Sequence, residues 1–213
     1  MIVWHFLFDL ASAGLVPDLL MQSGVMELAR YMIAGSFIAI SGVCARLSKP
    51  LRRGLIVLAA ALLVSAVTYL IGAPVYWGIL HLLGVCMLLY AAARKRWEAL
   101  PGIYACGAAL LIFALTFMLP IRVRVGVPFL FPLGLRTAAF ASADYYPLLP
   151  WGALFFAAAA AGERLGDMPP EKKYASAPRA LAWLSRRSLL IYLVHQPVLL
   201  ALAALLQRAA QGA

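Results

Sequence analysis

The sequence predicts an all-α, polytopic integral membrane helix bundle of about seven transmembrane helices, the first of them shortened. Three observations predict it. First, 65% of the 213 residues are hydrophobic and 12% charged, where a soluble domain carries about 45–50% and about 25%. Second, the apolar residues gather into stretches divided by turn-forming and charged clusters. Third, the basic residues concentrate in alternate connections. A span needs about 20 apolar residues and a short loop adds roughly 2–8, so the whole of 1–213 is taken up by one transmembrane domain. A mean hydropathy of +0.92 argues against a soluble enzyme, a disordered chain or a disulfide scaffold. The net charge of +10 reads as basic cytoplasmic loops rather than as a nucleic-acid surface.

The apolar stretches run over 1–15, 26–43, 55–71, 75–93, 103–119, 148–162 and 189–206. Their dividers are Pro17-Asp18, Ser48-Lys49-Pro50, Gly72-Ala73-Pro74, Arg94-Lys95-Arg96 and the 166–178 segment. The 46–53, 94–96 and 163–187 connections hold 13 of the 18 basic residues. The positive-inside rule places them in the cytoplasm, with the C-terminus on the far side. The first stretch is short, and His5 and Asp9 interrupt it, which is unlike a signal peptide. The chain is therefore expected to start inside its first helix. The 121–146 connection is rich in Phe, Leu, Pro and Gly. It reads either as a segment dipping into the outer interface or as a plain amphipathic loop.

Cys44, Cys86 and Cys106 lie in or beside apolar runs without metal-type spacing. They read as small buried apolar residues, and no metal is expected.

His5, His81 and His195 all fall within expected spans, and Asp9 lies one helical turn after His5. Ionisable groups at membrane depth are costly and mark functional sites by default. The bland alternative for each is a hydrogen-bonded contact between helices. By rise per residue, His195 falls near mid-membrane, with His81, Asp9, Arg30 and Asp144 toward the outer half. These residues point to a polar pocket opening outward. The sequence holds no P-loop, dinucleotide-binding glycine pattern, G-x-S-x-G or H-E-x-x-H. Tryptophans and tyrosines near the span ends read first as an interfacial belt, with Tyr145 and Trp151 as exceptions.

Taken in order, the segments resemble a known group. "MIVWHFLFDLASAG", "GSFIAISGVCARLSK", "YWGILHLLGVCMLLY", "ADYYPLLPWGALFFAAAAAGE" and "SRRSLLIYLVHQPVLL" resemble the first, second, fourth, sixth and closing helices of the bacterial membrane proteins related to heparan-alpha-glucosaminide N-acetyltransferase. The last of these strings is shared with the wider membrane acyltransferase group. The resemblance implies an acyltransferase of the bacterial inner (plasma) membrane. It would move an acyl group, typically acetyl from acetyl-CoA in the cytoplasm, to an amine or hydroxyl of a sugar or glycoconjugate across the bilayer. His5 matches a first-helix histidine tied to catalysis, His195 and Gln196 the closing-helix motif, His81 the fourth-helix histidine, and Asp144 the acid before the P-L-L-P-W string. Relatives usually carry an Asp…Leu-Arg-Gly stretch about ten residues before that first histidine, whereas here nothing precedes Met1.

Acyl transfer from a thioester needs a base and an oxyanion donor. His5 is the expected base with Asp9 as its orienter. His195, or else His81, is the expected oxyanion donor or acyl carrier. His81, Asp144, Tyr145, Trp151, Gln196 and Arg30 are the expected substrate contacts. The expected partners are the lipid bilayer, acyl-CoA and the acceptor, with a homodimer left open and no nucleic acid. The competing readings are a small proton-coupled transporter relaying through the same histidines and a truncated, inactive family member.

Overall fold

The computed structural model describes residues 1–17, 19, 22–163, 183–184 and 186–211. Every element among them is helical. The helices are α1 (Ile2–Ser12), α2 (Gly24–Arg46), α3 (Pro50–Leu70), α4 (Ile79–Glu98), α5 (Gly102–Thr116), α6 (Leu119–Arg122), α7 (Leu148–Ala161) and α8 (Ser188–Gln211), with a 3-10 turn at Pro128–Leu133. Each of the seven apolar stretches carries a helix.

Four segments among the described residues are long and apolar enough to cross a membrane: Gly24–Arg46, Pro50–Leu70, Gly102–Arg122 and Ser188–Gln211. The other three stretches differ for identifiable reasons. The 20 residues of α4 close on Arg94, Lys95, Arg96 and Glu98, while α1 and α7 have only 11 and 14 residues. In the four segments, 11–22% of the most apolar window is buried. Side chains such as Leu63, Leu70, Ile103 and Leu115 stand open. So large an exposed apolar surface is untenable in water and suits a lipid solvent.

The chain divides into two compact units, Met1–Ala34 with Tyr174–Ala213, and Gly35–Lys173. In the first, α1 packs along α8. Three contacts advance together along both helices: the His5 ring meets the His195 ring, Asp9 meets Gln196, and the Ala13 carbonyl accepts from Gln207 Nε2 at 2.9 Å. The two helices therefore run in the same direction. Gln207 also supplies a partner for a carbonyl that the end of α1 leaves open.

In the second unit α3 pairs with α4, α5 with α7, and α4 with α7. Small residues allow the close approach. A Cβ added at Gly54 would stand 3.0 Å from Met87 Cβ, and one at Gly84 3.0 Å from Leu58 Cβ. Tyr90, Leu82 and Cys86 of α4 and Phe155 of α7 are fully buried, as is Ile38 of α2. Cys86 and Cys106 are buried or half-buried, as their apolar surroundings suggest, but Cys44 is exposed.

Both basic connections that the second unit describes lie at one end of it. Arg94 donates to the carbonyls of Ser48 and Arg46, each at 3.2 Å, and Arg46 lies 3.9 Å from Glu98. The 163–187 connection lies mostly outside the described residues.

The start of α7 is irregular, as Pro147 and Pro150 suggest. Leu149 has φ −107° and ψ 122°, and the Leu149–Pro150 bond is cis. The 121–146 connection is tied to the 74–77 strip by backbone bonds, Ala143 N–H to Pro74 O and Tyr146 N–H to Trp77 O, both at 3.1 Å.

Candidate active site

The first polar cluster lies between α1 and α8. His195 is 91% buried, with 9% of its surface exposed. Its Nδ1 lies 2.5 Å from the Tyr192 carbonyl oxygen. A carbonyl only accepts, so Nδ1 carries the proton and donates. The other ring nitrogen, Nε2, is buried and has no hydrogen-bond partner among the described residues. Buried polar atoms are satisfied in the great majority of cases, so an exception requires an explanation. The His5 ring lies against this histidine, its centroid 5.2 Å away at 61°. Trp4 packs edge-on against His5 at 5.3 Å.

Asp9, at 4% exposure, does not bond to His5. Its two carboxylate oxygens accept from Gln196 Nε2, at 3.1 and 3.3 Å. One-turn spacing puts Asp9 and His5 on one side of α1, but the carboxylate turns to the amide across the helix pair. Arg30 lies 4.0 Å from Glu27 and stacks on the neighbouring Tyr31 ring at 4.8 Å. Both contacts belong to its own helix.

The second cluster lies in the other unit, where α3 and α4 meet the 121–146 connection. Gly78 N–H donates to His81 Nδ1 at 3.3 Å. That nitrogen is therefore the acceptor, and Nε2–H faces Ser65 Oγ at 3.2 Å. Ser65 passes its own hydrogen to the Val75 carbonyl at 2.5 Å. Both ring nitrogens of His81 are thus occupied, and Trp77 stacks on the ring at 5.7 Å. Asp144 Oδ2 accepts from Ile79 N–H at 3.0 Å, at the first turn of α4.

Tyr145 donates to the Phe131 carbonyl at 2.7 Å and lies beneath Arg136, 5.7 Å from its ring centre. Burial pushes its phenol up to about 12, with Arg136 and Arg124 pulling the other way. Trp151 is 6% exposed and sits edge-on to Tyr146, Phe113 and Phe117.

The sequence model of the family described as "Heparan-alpha-glucosaminide N-acetyltransferase, catalytic" matches residues 1–197. The chain belongs to this family. The match spans both clusters and every candidate residue named above. No curated protein and no solved structure matches the chain. Family membership and the four apolar spanning segments make this an integral membrane protein of an acetyltransferase family, whose acyl donor is in general acetyl-CoA. No group of metal-binding side chains occurs among the described residues.

Several residues of this family member escaped the sequence reading. Ser65 is a hydroxyl inside an apolar span, a signal for a bond between helices. Trp77 precedes His81 by one turn, and Tyr192 precedes His195 by three residues. Arg124 and Arg136 are two of the five basic residues outside the three basic connections.

Proposed function

We propose that this chain transfers an acetyl group from acetyl-CoA to an amine or hydroxyl of a sugar or glycoconjugate, with the His5–His195 pair as its reacting centre. The observation that carries the reading is the buried Nε2 of His195, without a hydrogen-bond partner among the described residues, beside the first-helix histidine of an acetyltransferase family. The Tyr192 carbonyl fixes the His195 tautomer, which is the task the sequence reading gave to Asp9 for His5. The geometry therefore favours exchanging the expected roles. His195 Nε2 takes the proton of the attacking N–H or O–H. A bond forms from the acceptor atom to the acyl carbon, and the thioester C–S bond breaks. The proton passes to the departing CoA sulfur. His5 faces the acyl oxygen as a donor.

Asp9 and Gln196 act on His195 as positioning residues, because Gln196 follows it on α8 and anchors that turn to α1. In the other unit, Asp144, His81 and Ser65 brace the start of α4. Tyr145 and Trp151 belong to the aromatic wall around that brace. The shared direction of α1 and α8 fits an odd number of crossings from the first helix to the last. Together with the clustering of the 46–53 and 94–96 basic residues, it supports seven spans, the basic end in the cytoplasm and the bacterial inner membrane as the site.

Reconstituted protein supplied with radiolabelled acetyl-CoA and a panel of amino sugars and neutral sugars tests this. The reading expects labelled sugar and free CoA in equal amounts. Intact acetyl-CoA with every acceptor would overturn it.

A further inference from the structure

We infer that Arg124 and Arg136 form an oxyanion subsite that holds the carboxylate or phosphate group of a charged sugar. The inference rests on the following geometry, all of it within one unit. The two residues pair as an isolated parallel bridge, and Val125 N–H donates to the Arg136 carbonyl at 3.1 Å. Both guanidinium charges reach the Tyr145 phenol, and Arg136 lies over its ring at 5.7 Å. Tyr145 is itself pinned to the Phe131 carbonyl, so the platform beneath the cations is fixed.

Two like charges that both act on one phenol repel, and a fold normally answers such a pair with a carboxylate. The ion pairs among the described residues involve Glu27 and Glu98 only, and neither arginine takes part. Arg124 spends one nitrogen on the Pro120 and Val123 carbonyls, at 3.2 and 3.1 Å. Arg136 Nε is buried with no hydrogen-bond partner among the described residues. A buried guanidinium nitrogen without an acceptor is a costly state. A planar or tetrahedral oxyanion would satisfy it, since the guanidinium fork matches that shape. Nearby, Trp77 Nε1 is a second buried donor without a partner among the described residues, in the aromatic group that joins Trp77, Phe131, Phe140 and Tyr145. Donors beside aromatic faces suit a charged sugar ring rather than an acyl chain.

The test uses the full chain in phosphatidylcholine nanodiscs without acyl donor, so its result is independent of acetyl transfer. Saturation-transfer NMR follows glucuronate, glucose 6-phosphate and glucose. The expected result is saturation of the two charged sugars and not of glucose, about 10- to 100-fold weaker binding in Arg136→Gln, and unchanged binding in Arg122→Gln. Arg136→Lys keeps the charge without the fork and is expected to fall between, and it serves where Arg136→Gln does not fold. Equal saturation of glucose, or binding indifferent to both Arg136 variants, would overturn the subsite. Native mass spectrometry supplies the other arm: arginine-dependent retention of phosphatidylglycerol, with no charged sugar bound, would assign the pair to a lipid headgroup and overturn the sugar assignment.

Discussion

Gln196 uses a single amide nitrogen to hold both carboxylate oxygens of Asp9, at 3.1 and 3.3 Å, across the α1–α8 contact. Hydrogen bonds to a charged group contribute about 1.5–3 kcal/mol, and removing one partner leaves the other buried and unpaired. Gln196→Leu is therefore expected to lower the melting temperature by several degrees. Gln196→Glu sets two carboxylates together and is expected to lower it further at neutral pH. Thermal unfolding of the purified variants measures this, and Gln196→Glu melting with the wild type would show that the bond contributes little.

That bond also shows where sequence reasoning reached its limit. The helices themselves were legible, because apolar run length and breaker residues are local properties. His195 stood out because a histidine in an apolar span is costly wherever it points. The partner of Asp9 was not legible. One-turn spacing places Asp9 and His5 on one face, but a carboxylate chooses its partner from the neighbouring helix, and Gln196 lies 187 positions away. The α4 stretch was readable as a helix, yet its last turn carries the charges that separate it from the longer apolar spans. His81 is an expected substrate contact whose two ring nitrogens are engaged by Ser65 and the Gly78 amide. Backbone donors at a helix start have no signature in residue type.

The Ser65–His81 bond separates a brace from a substrate contact. Ser65→Ala leaves a buried N–H without its acceptor, at a cost of about 1–3 kcal/mol. The expected outcome is a lower melting temperature with acetyl transfer per folded molecule changed less than threefold. A drop of a hundredfold in protein that melts normally would instead make His81 a substrate contact. Circular dichroism melts and single-substrate kinetics on one preparation distinguish the two.

Glu98 gives an acid-side signature. Burial opposes its charge, but bonds from Tyr90 Oη at 2.8 Å and Arg94 Nε at 3.1 Å, with the Arg94 and Arg46 charges, outweigh it and hold the carboxyl below its ordinary value of 4.5. A lowered folded-state value means that the unfolded chain binds the proton first. The stabilisation is complete above that ordinary value and is lost as pH falls through the folded one. Melting temperatures measured from pH 7 downward are expected to fall more steeply below pH 5 in the wild type than in Glu98→Gln. Parallel curves would remove Glu98 from the acid response.

The orientation is open to a direct check. In a chain whose native cysteines are replaced by serine, Lys95→Cys is expected to react with a membrane-impermeant maleimide only from the cytoplasmic face, and Arg122→Cys only from the other. Labelling of both from one side of intact cells would contradict the seven-span account.

The central claim is that the unpartnered Nε2 of His195 accepts a proton during acyl transfer. The measurement that bears on it most directly is the acetyl-transfer rate of His195→Gln beside the wild type, each normalised to correctly folded protein. Loss of a general base costs about 10²–10⁴ in rate. The account predicts a fall of that size, with acetyl-CoA binding retained. A His195→Gln protein that transfers acetyl at close to the wild-type rate would contradict it.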